Sequence, residues 1–242
     1  MSIKVAVVGA TGRMGKLAVD IVNGAPDLHL HAVLDSKSEL SEALGADVVF
    51  EATTLDVSKE VVEFAIQNSM KILVATSGWA QGMLNNLEAK IPNFSAVVVI
   101  PNFSIGSTLA TKFASEAAKY FDSIEIVETH HAGKKDSPSG TAIRTAELIG
   151  QARAVASKPA PLVPGLGQSA RGEMVSGVPI HSLRINGVSA KQEVHLGGSD
   201  EVLTISHSAA SVEAYALGIL HSIRYTAEAN GLTIGLDKVL GI

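Results

Sequence analysis

The segment Gly9-Ala-Thr-Gly-Arg-Met-Gly15 lies between a short β-branched run at residues 3–8 and a helix-forming stretch at residues 13–22. No other feature constrains the fold as much. Glycines at this spacing suit a tight strand-to-helix turn in which the backbone approaches a pyrophosphate lying on the helix N-terminus. The spacing is G-x-x-G-x-x-G and not the commoner G-x-G-x-x-G, so context carries the reading. That context is favourable: Asp35 closes the next β-rich run about 20 residues after the turn, where an acid can bond adenine-ribose hydroxyls.

Further β-rich runs at residues 28–34, 47–52, 71–76 and 96–100 are too short and too β-branched for helices. Between them lie helical stretches at residues 57–68 and 81–89. The βαβ alternation predicts an α/β unit, Rossmann-like, with a doubly wound parallel sheet and right-handed crossovers. Ligands of such sheets bind beyond the carboxyl ends of the strands. Ala75, Thr76, Ser77 and the run Ile100, Pro101, Asn102, Phe103 stand there, and each also reads as an ordinary strand-to-helix turn. Glu51, ending the third strand, stays ambiguous.

After residue 105 the pattern changes to a helix at 105–120, a strand at 123–129, a polar cluster and a helix reaching residue 155. Residues 156–177 form a loop rich in proline and glycine (Pro159, Pro161, Pro164, Gly165, Gly167, Gly172, Gly177). Runs at 178–185, 191–196 and 201–207 read as antiparallel strands, with Asn186-Gly187 and Gly197-Gly198 as turns. A last helix at 211–229, capped by Ser211, precedes an apolar tail. The expectation is a dinucleotide-binding domain of residues 1–105 and 212–242, the C-terminal helix and tail docking back, and a substrate-binding and oligomerisation domain of residues 106–211. The second domain is α+β with a mixed or antiparallel sheet.

Residues 128–142 hold two histidines, two lysines and two carboxylates between an apolar strand and an amphipathic helix. That density points to an anionic ligand, a carboxylate. Ser139, Gly140 and Thr141 open the helix, where free N–H groups at the positive dipole end suit a carboxylate beside Lys134. Neighbouring strand residues face opposite ways, so His130 and His131 share a cleft only if the strand has ended. No His-x-x-x-His occurs, and no metal site is expected. Ser139 lacks the G-x-S-x-G elbow of a nucleophile.

The chain has no cysteine, which removes disulfides and thiolate chemistry and fits a reducing, cytoplasmic setting. Met1 to Lys4 lead straight into a strand without a signal segment. A net charge of −5 argues against a nucleic-acid partner, and the apolar runs are too short to span a membrane.

The cluster Glu128, His130, His131, Lys134, Asp136, Pro138, Ser139, Gly140, Thr141 and Ala142 closely resembles the signature of the 4-hydroxy-tetrahydrodipicolinate reductase (dihydrodipicolinate reductase) family, in its short form. The resemblance extends through the glycine turn, Pro101-Asn-Phe-Ser-Ile-Gly106 and Gly231-Leu-Thr-Ile-Gly-Leu236, hence over nearly the whole chain. It implies NAD(P)H-dependent reduction of a cyclic dicarboxylated imine in lysine and diaminopimelate synthesis, by a homotetramer. By resemblance, His130 and Lys134 are catalytic proton carriers, and His131, Ser139, Gly140 and Thr141 contact substrate. Gly9, Ala10, Thr11, Gly12, Arg13, Met14, Asp35, Ala75, Thr76, Ser77, Ile100, Pro101, Asn102 and Phe103 match cofactor contacts. Thr11 stands where some members carry a basic residue, and Phe50-Glu51-Ala52-Thr53 replaces an Asp-Phe-Thr pattern. Asp35 and the absence of a basic residue at position 11 lean towards NADH, with dual use of NADPH open through Arg13 and Lys37. Two rival readings remain open at this point: a non-catalytic dinucleotide-sensing protein, and another carboxylate-directed nicotinamide oxidoreductase.

Overall fold

A computed structural model describes residues 2–165 and 167–242; readings that touch Met1 and Leu166 lie outside the described residues. In chain order the elements are β1 (Ile3–Val8), α1 (Arg13–Gly24), β2 (Leu28–Leu34), β3 (Val48–Glu51), α2 (Leu55–Gln67), β4 (Lys71–Val74), α3 (Gln81–Glu88) and β5 (Ala96–Val99). There follow α4 (Ile105–Ala117), β6 (Ser123–His130), α5 (Gly140–Val155), β7 (Glu173–Val175), β8 (Val178–Arg184), β9 (Ala190–Gly197) and β10 (Val202–Ala209). The chain closes with α6 (Ala216–Glu228), β11 (Gly231–Ile234) and α7 (Leu236–Leu240). It divides into two compact units, the first ending at Ile105 and resuming at Val212–Ile242, the second spanning Gly106–Ser211.

The first unit is a six-stranded parallel sheet of order β11-β5-β4-β3-β1-β2. Its inner strands β1, β3, β4 and β5 are buried on both faces, and the side-chain period of two divides each between two cores. Val5, Val7, Val48, Phe50, Leu73 and Val98 pack with α1 and α6, whereas Ala6, Val8, Val49, Ile72 and Val97 pack with α2 and α3. The helix α1 stops where Pro26 follows, because proline cannot continue the backbone ladder. The strand order reverses direction between β1 and β3, and the crevice at such a switch point is where a nucleotide binds.

The second unit has a five-stranded mixed sheet of order β10-β9-β6-β8-β7. One face, carrying Ile124, Ile126, Ile180, Val194 and Leu196, packs on α4 and α5. Here the structure corrects the sequence reading. The run at 178–185 does not pair with the run at 191–196: β8 lies between β7, to which it is antiparallel, and β6, to which it is parallel, and β6 separates it from β9, so Asn186-Gly187 closes no hairpin. Adjacent turn signals indicate chain reversal but not which strand fills the gap. Part of the loop at 156–177 is β7, joined to β8 through Ser176 and Gly177, both with positive φ as a two-residue hairpin turn requires. The expected helix at 211–229 begins with a short 3₁₀ segment at Val212–Tyr215 before α6, whose own N-cap is Tyr215. The apolar tail contains β11, which extends the first sheet beside β5.

Arg153 fastens the second unit. Only 3% exposed, it donates to the carbonyls of Ala118 and Phe121, both at 2.6 Å, and of Pro159 at 2.9 Å, joining α5 to the end of α4 and to the start of the 156–177 loop. Charge-assisted bonds to buried carbonyls are costly to remove because the oxygens are left without donors. Replacing Arg153 by Met is therefore expected to lower unfolding stability by about 3 kcal/mol, read from urea denaturation midpoints.

Candidate active site

In the first unit the structure places the glycine turn, Asp35, residues 75–77 and residues 100–103 at the carboxyl ends of β1, β2, β4 and β5. Gly9 has φ +84°, and a Cβ there would sit 2.3 Å from the Ala52 carbonyl oxygen; a Cβ on Gly15 would sit 2.2 Å from the Gly9 oxygen. Both positions demand glycine. The α1 N-cap, Gly12, offers no side-chain bond, and no acidic residue stands in the first turn. The opening amides of α1 are thus left for an external anion, and the residues fit a dinucleotide pyrophosphate. Asp35 is exposed at the end of β2, where its Oδ1 accepts the Lys37 amide at 2.8 Å. Ile100 and Phe103 are buried in the core, Phe103 beside Phe50, so only their backbones are presented at the strand end.

In the second unit, the alternation of β6 puts Ile124, Ile126, Glu128 and His130 on one face. The first two enter the core, Glu128 is fully buried, and His130 ends the strand. Register across the sheet sets Ser182 opposite Glu128 and Arg184 opposite His130. Glu128 consequently gathers a dense set of donors. His130 Nδ1 lies 2.6 Å from Oε2, Arg184 spans both oxygens at 2.9 and 2.8 Å, and the Ser139 amide donates to Oε1 at 3.2 Å. An ionised carboxylate accepts only, so the imidazole turns its protonated Nδ1 inward and keeps Nε2 as its other ring nitrogen.

Burial by itself would raise the Glu128 carboxyl, but hydrogen bonds from Arg184, Ser182 and His130, with the Arg184 charge, hold it below the usual carboxylate range. Lys134 is anchored at both Asp136 oxygens, at 2.8 and 2.7 Å, and that bond keeps Asp136 low as well. Arg184 also donates to the Asp136 carbonyl at 2.6 Å, tying the Lys134 loop to the Glu128 network. His131 lies beyond the end of β6 and is exposed. Ser139 caps α5 by accepting the Ala142 amide at 3.3 Å, and Gly140 and Thr141 begin that helix. Sequence reasoning missed Arg184: it stands 56 residues from Glu128, and only the β6–β8 register brings them together. Among the described residues no cluster of His, Asp and Glu is placed to hold a metal ion.

A parallel nucleotide-binding sheet and a separate α+β unit carrying histidine, lysine and a helix N-terminus define a two-unit pyridine-nucleotide oxidoreductase. The family models of the dihydrodipicolinate reductase N-terminus and C-terminus match residues 3–103 and 106–240. The chain belongs to the dihydrodipicolinate reductase family. It is 52% identical over 242 residues to the 4-hydroxy-tetrahydrodipicolinate reductase of Clavibacter sepedonicus, covering 99% of this chain and 87% of the relative. Identity to the Streptomyces coelicolor enzyme of the same name is 42%, covering 99% and 98%. Among solved structures, the dipicolinate-bound dihydrodipicolinate reductase of Paenisporosarcina sp. TG-14 is similar with a TM-score of 0.82 and 32% identity, covering 98% of this chain and 99% of that one.

The depressed Glu128 carboxyl has a consequence for acid stability. A group whose folded pKa lies below its unfolded value of 4.5 stabilises the fold above that pH, and the contribution is lost as pH falls through the lower folded value. Urea midpoints measured from about pH 3 to 7 are expected to fall more steeply below pH 4.5 in the parent than in Glu128→Gln.

Proposed function

We propose that this chain reduces 4-hydroxy-tetrahydrodipicolinate, with loss of its hydroxyl as water, or the dihydrodipicolinate which that loss gives, to tetrahydrodipicolinate with a reduced pyridine nucleotide, in lysine and diaminopimelate biosynthesis. The observation that carries the reading is the buried Glu128, which orients His130 at a strand end beside Lys134 and the α5 N-terminus. Family membership sets aside a dinucleotide sensor without turnover. It also favours this reductase over other carboxylate-directed oxidoreductases.

The bound cofactor supplies hydride. The remaining work falls to the protein. Hydride addition to the unsaturated ring leaves an anion that needs a proton, and His130 Nε2 or the Lys134 ammonium delivers it. A substrate carboxylate competes with Asp136 for that ammonium while Gly140 and Thr141 receive it at the helix N-terminus. His131 is a further substrate contact. Ser139, with its amide on Glu128 and its hydroxyl oxygen on the cap, shapes this pocket. Dipicolinate bound to the Paenisporosarcina relative is a dicarboxylate of the kind this pocket suits.

The direct test supplies enzymatically generated substrate and follows absorbance of the reduced cofactor; no substrate-dependent oxidation would remove the reading. In the same assay His130→Gln and Lys134→Ala are each expected to lower kcat by about 100- to 10,000-fold. Cofactor affinity should stay near the parent's in both.

Within the cofactor class we favour NADH used at least as well as NADPH. Asp35, exposed at the end of β2, suits two ribose hydroxyls and repels a 2′-phosphate, while Arg13 and Lys37, also exposed, supply the opposing attraction behind dual use. Asp35→Ser is expected to raise kcat/KM for NADPH relative to NADH. A parent strongly preferring NADPH, with that ratio unchanged in the variant, would show that Asp35 does not read the ribose. The reading includes a cytoplasmic homotetramer with no nucleic-acid or membrane partner; the negative net charge and the absence of a membrane-length apolar helix among the described residues support the last two points.

A further inference from the structure

Glu51 ends β3 at the carboxyl edge of the parallel sheet, beside the switch point, and it is fully buried. No cation pairs with it among the described residues; its partners are neutral. The Thr53 amide donates to Oε1 at 2.7 Å, the Thr53 hydroxyl at 2.5 Å and the Thr76 hydroxyl at 2.8 Å. On Oε2 the Ser58 hydroxyl donates at 2.6 Å, and Ser58 in turn accepts the Trp79 indole N–H at 3.1 Å. The side chain thereby gathers the turn after β3, the turn after β4, the first part of α2 and the segment leading to α3.

Those are the segments that shape the nucleotide edge. The Thr53 amide donates also to the Thr76 hydroxyl at 2.9 Å, so the two turns are fastened to each other as well as to Glu51. Against them lies the glycine turn: a Cβ on Gly9 would meet the Ala52 carbonyl at 2.3 Å and the Thr53 methyl at 2.9 Å. The pyrophosphate turn thus rests on the two residues that follow Glu51. Burying a carboxylate with no cation is expensive unless donors saturate it, and a fold needing only a β-strand end here would be served by an apolar residue.

We propose that Glu51 is a positioning residue for the pyridine nucleotide. Its carboxylate sets the turns after β3 and β4 against the glycine turn, and it does so without adding a positive or mobile group to the crevice. This rests on the reading of the first unit as the cofactor-binding unit.

The test measures reduced-cofactor Kd by calorimetry, the KM values of cofactor and dicarboxylate substrate, and thermal midpoints, in the parent, Glu51→Ala and Glu51→Gln. Glu51→Ala removes the acceptor that four donors share, the Thr53 amide and the Thr53, Thr76 and Ser58 hydroxyls, and its cofactor Kd and KM are expected to rise about tenfold or more. Glu51→Gln keeps the shape and the Oε1 bonds but loses the acceptor facing Ser58, for an expected rise of about threefold. In both variants the KM for the dicarboxylate and kcat at saturating cofactor should remain within about twofold of the parent. Should Glu51→Ala fail to fold, Glu51→Gln decides alone. A lower thermal midpoint with cofactor Kd unchanged would reduce Glu51 to a structural role and overturn the inference while leaving the proposed function intact. A parent that binds no reduced cofactor would overturn both.

Discussion

The pairing of buried Glu128 with Arg184 is the interaction on which the arrangement of the second unit's polar cluster depends. A carboxylate at the centre of a sheet face is tolerable only when its lone pairs are filled, and Arg184, Ser139 and His130 fill them from β8, α5 and β6 itself. Each partner is held by the bond it gives. The imidazole is turned to a single orientation, the α5 N-terminus is drawn to the strand end, and the Lys134 loop is tethered through the Asp136 carbonyl. One buried charge therefore ties together the end of β6, the start of α5 and, through Arg184, the Lys134 loop.

The first unit handles the same problem with different chemistry. Glu51, like Glu128, sits buried at the carboxyl end of a central strand, but hydroxyls and an amide surround it where Glu128 has a guanidinium. The difference suits the ligands each edge is suited to receive. A nucleotide edge relies on backbone amides and helix N-termini at close approach, so its support is compact and uncharged. The proton-carrying role proposed for His130 needs a defined tautomer, and the Glu128 carboxylate behind the imidazole provides it.

How much of this was legible in the chain varied with the range of the interaction. The glycine turn, the βαβ alternation and the Ser139 helix start are local signals, written in glycine, β-branched runs and capping residues, and they mark the elements to within a few residues. The four residues of β11 carry no period of their own and become a strand only by pairing with β5 across more than a hundred residues. The same holds for β7, hidden in a proline-rich stretch until β8 lies beside it. Consecutive turn signals at residues 186–187 and 197–198 look alike, yet only the second joins neighbouring strands, because β6 inserts between β8 and β9.

By itself the sequence determined the parallel nucleotide-binding architecture, the strand-end histidine, the lysine beside it and the helix that follows, since each depends on residue type and spacing along a few turns of chain. Tertiary structure alone decided that Arg184 completes Glu128, that Thr76 and Ser58 complete Glu51, and that His130 turns its Nδ1 to Glu128. Those outcomes follow from strand register and from the cost of leaving a buried charge unsatisfied, and neither is encoded within any short window of residues.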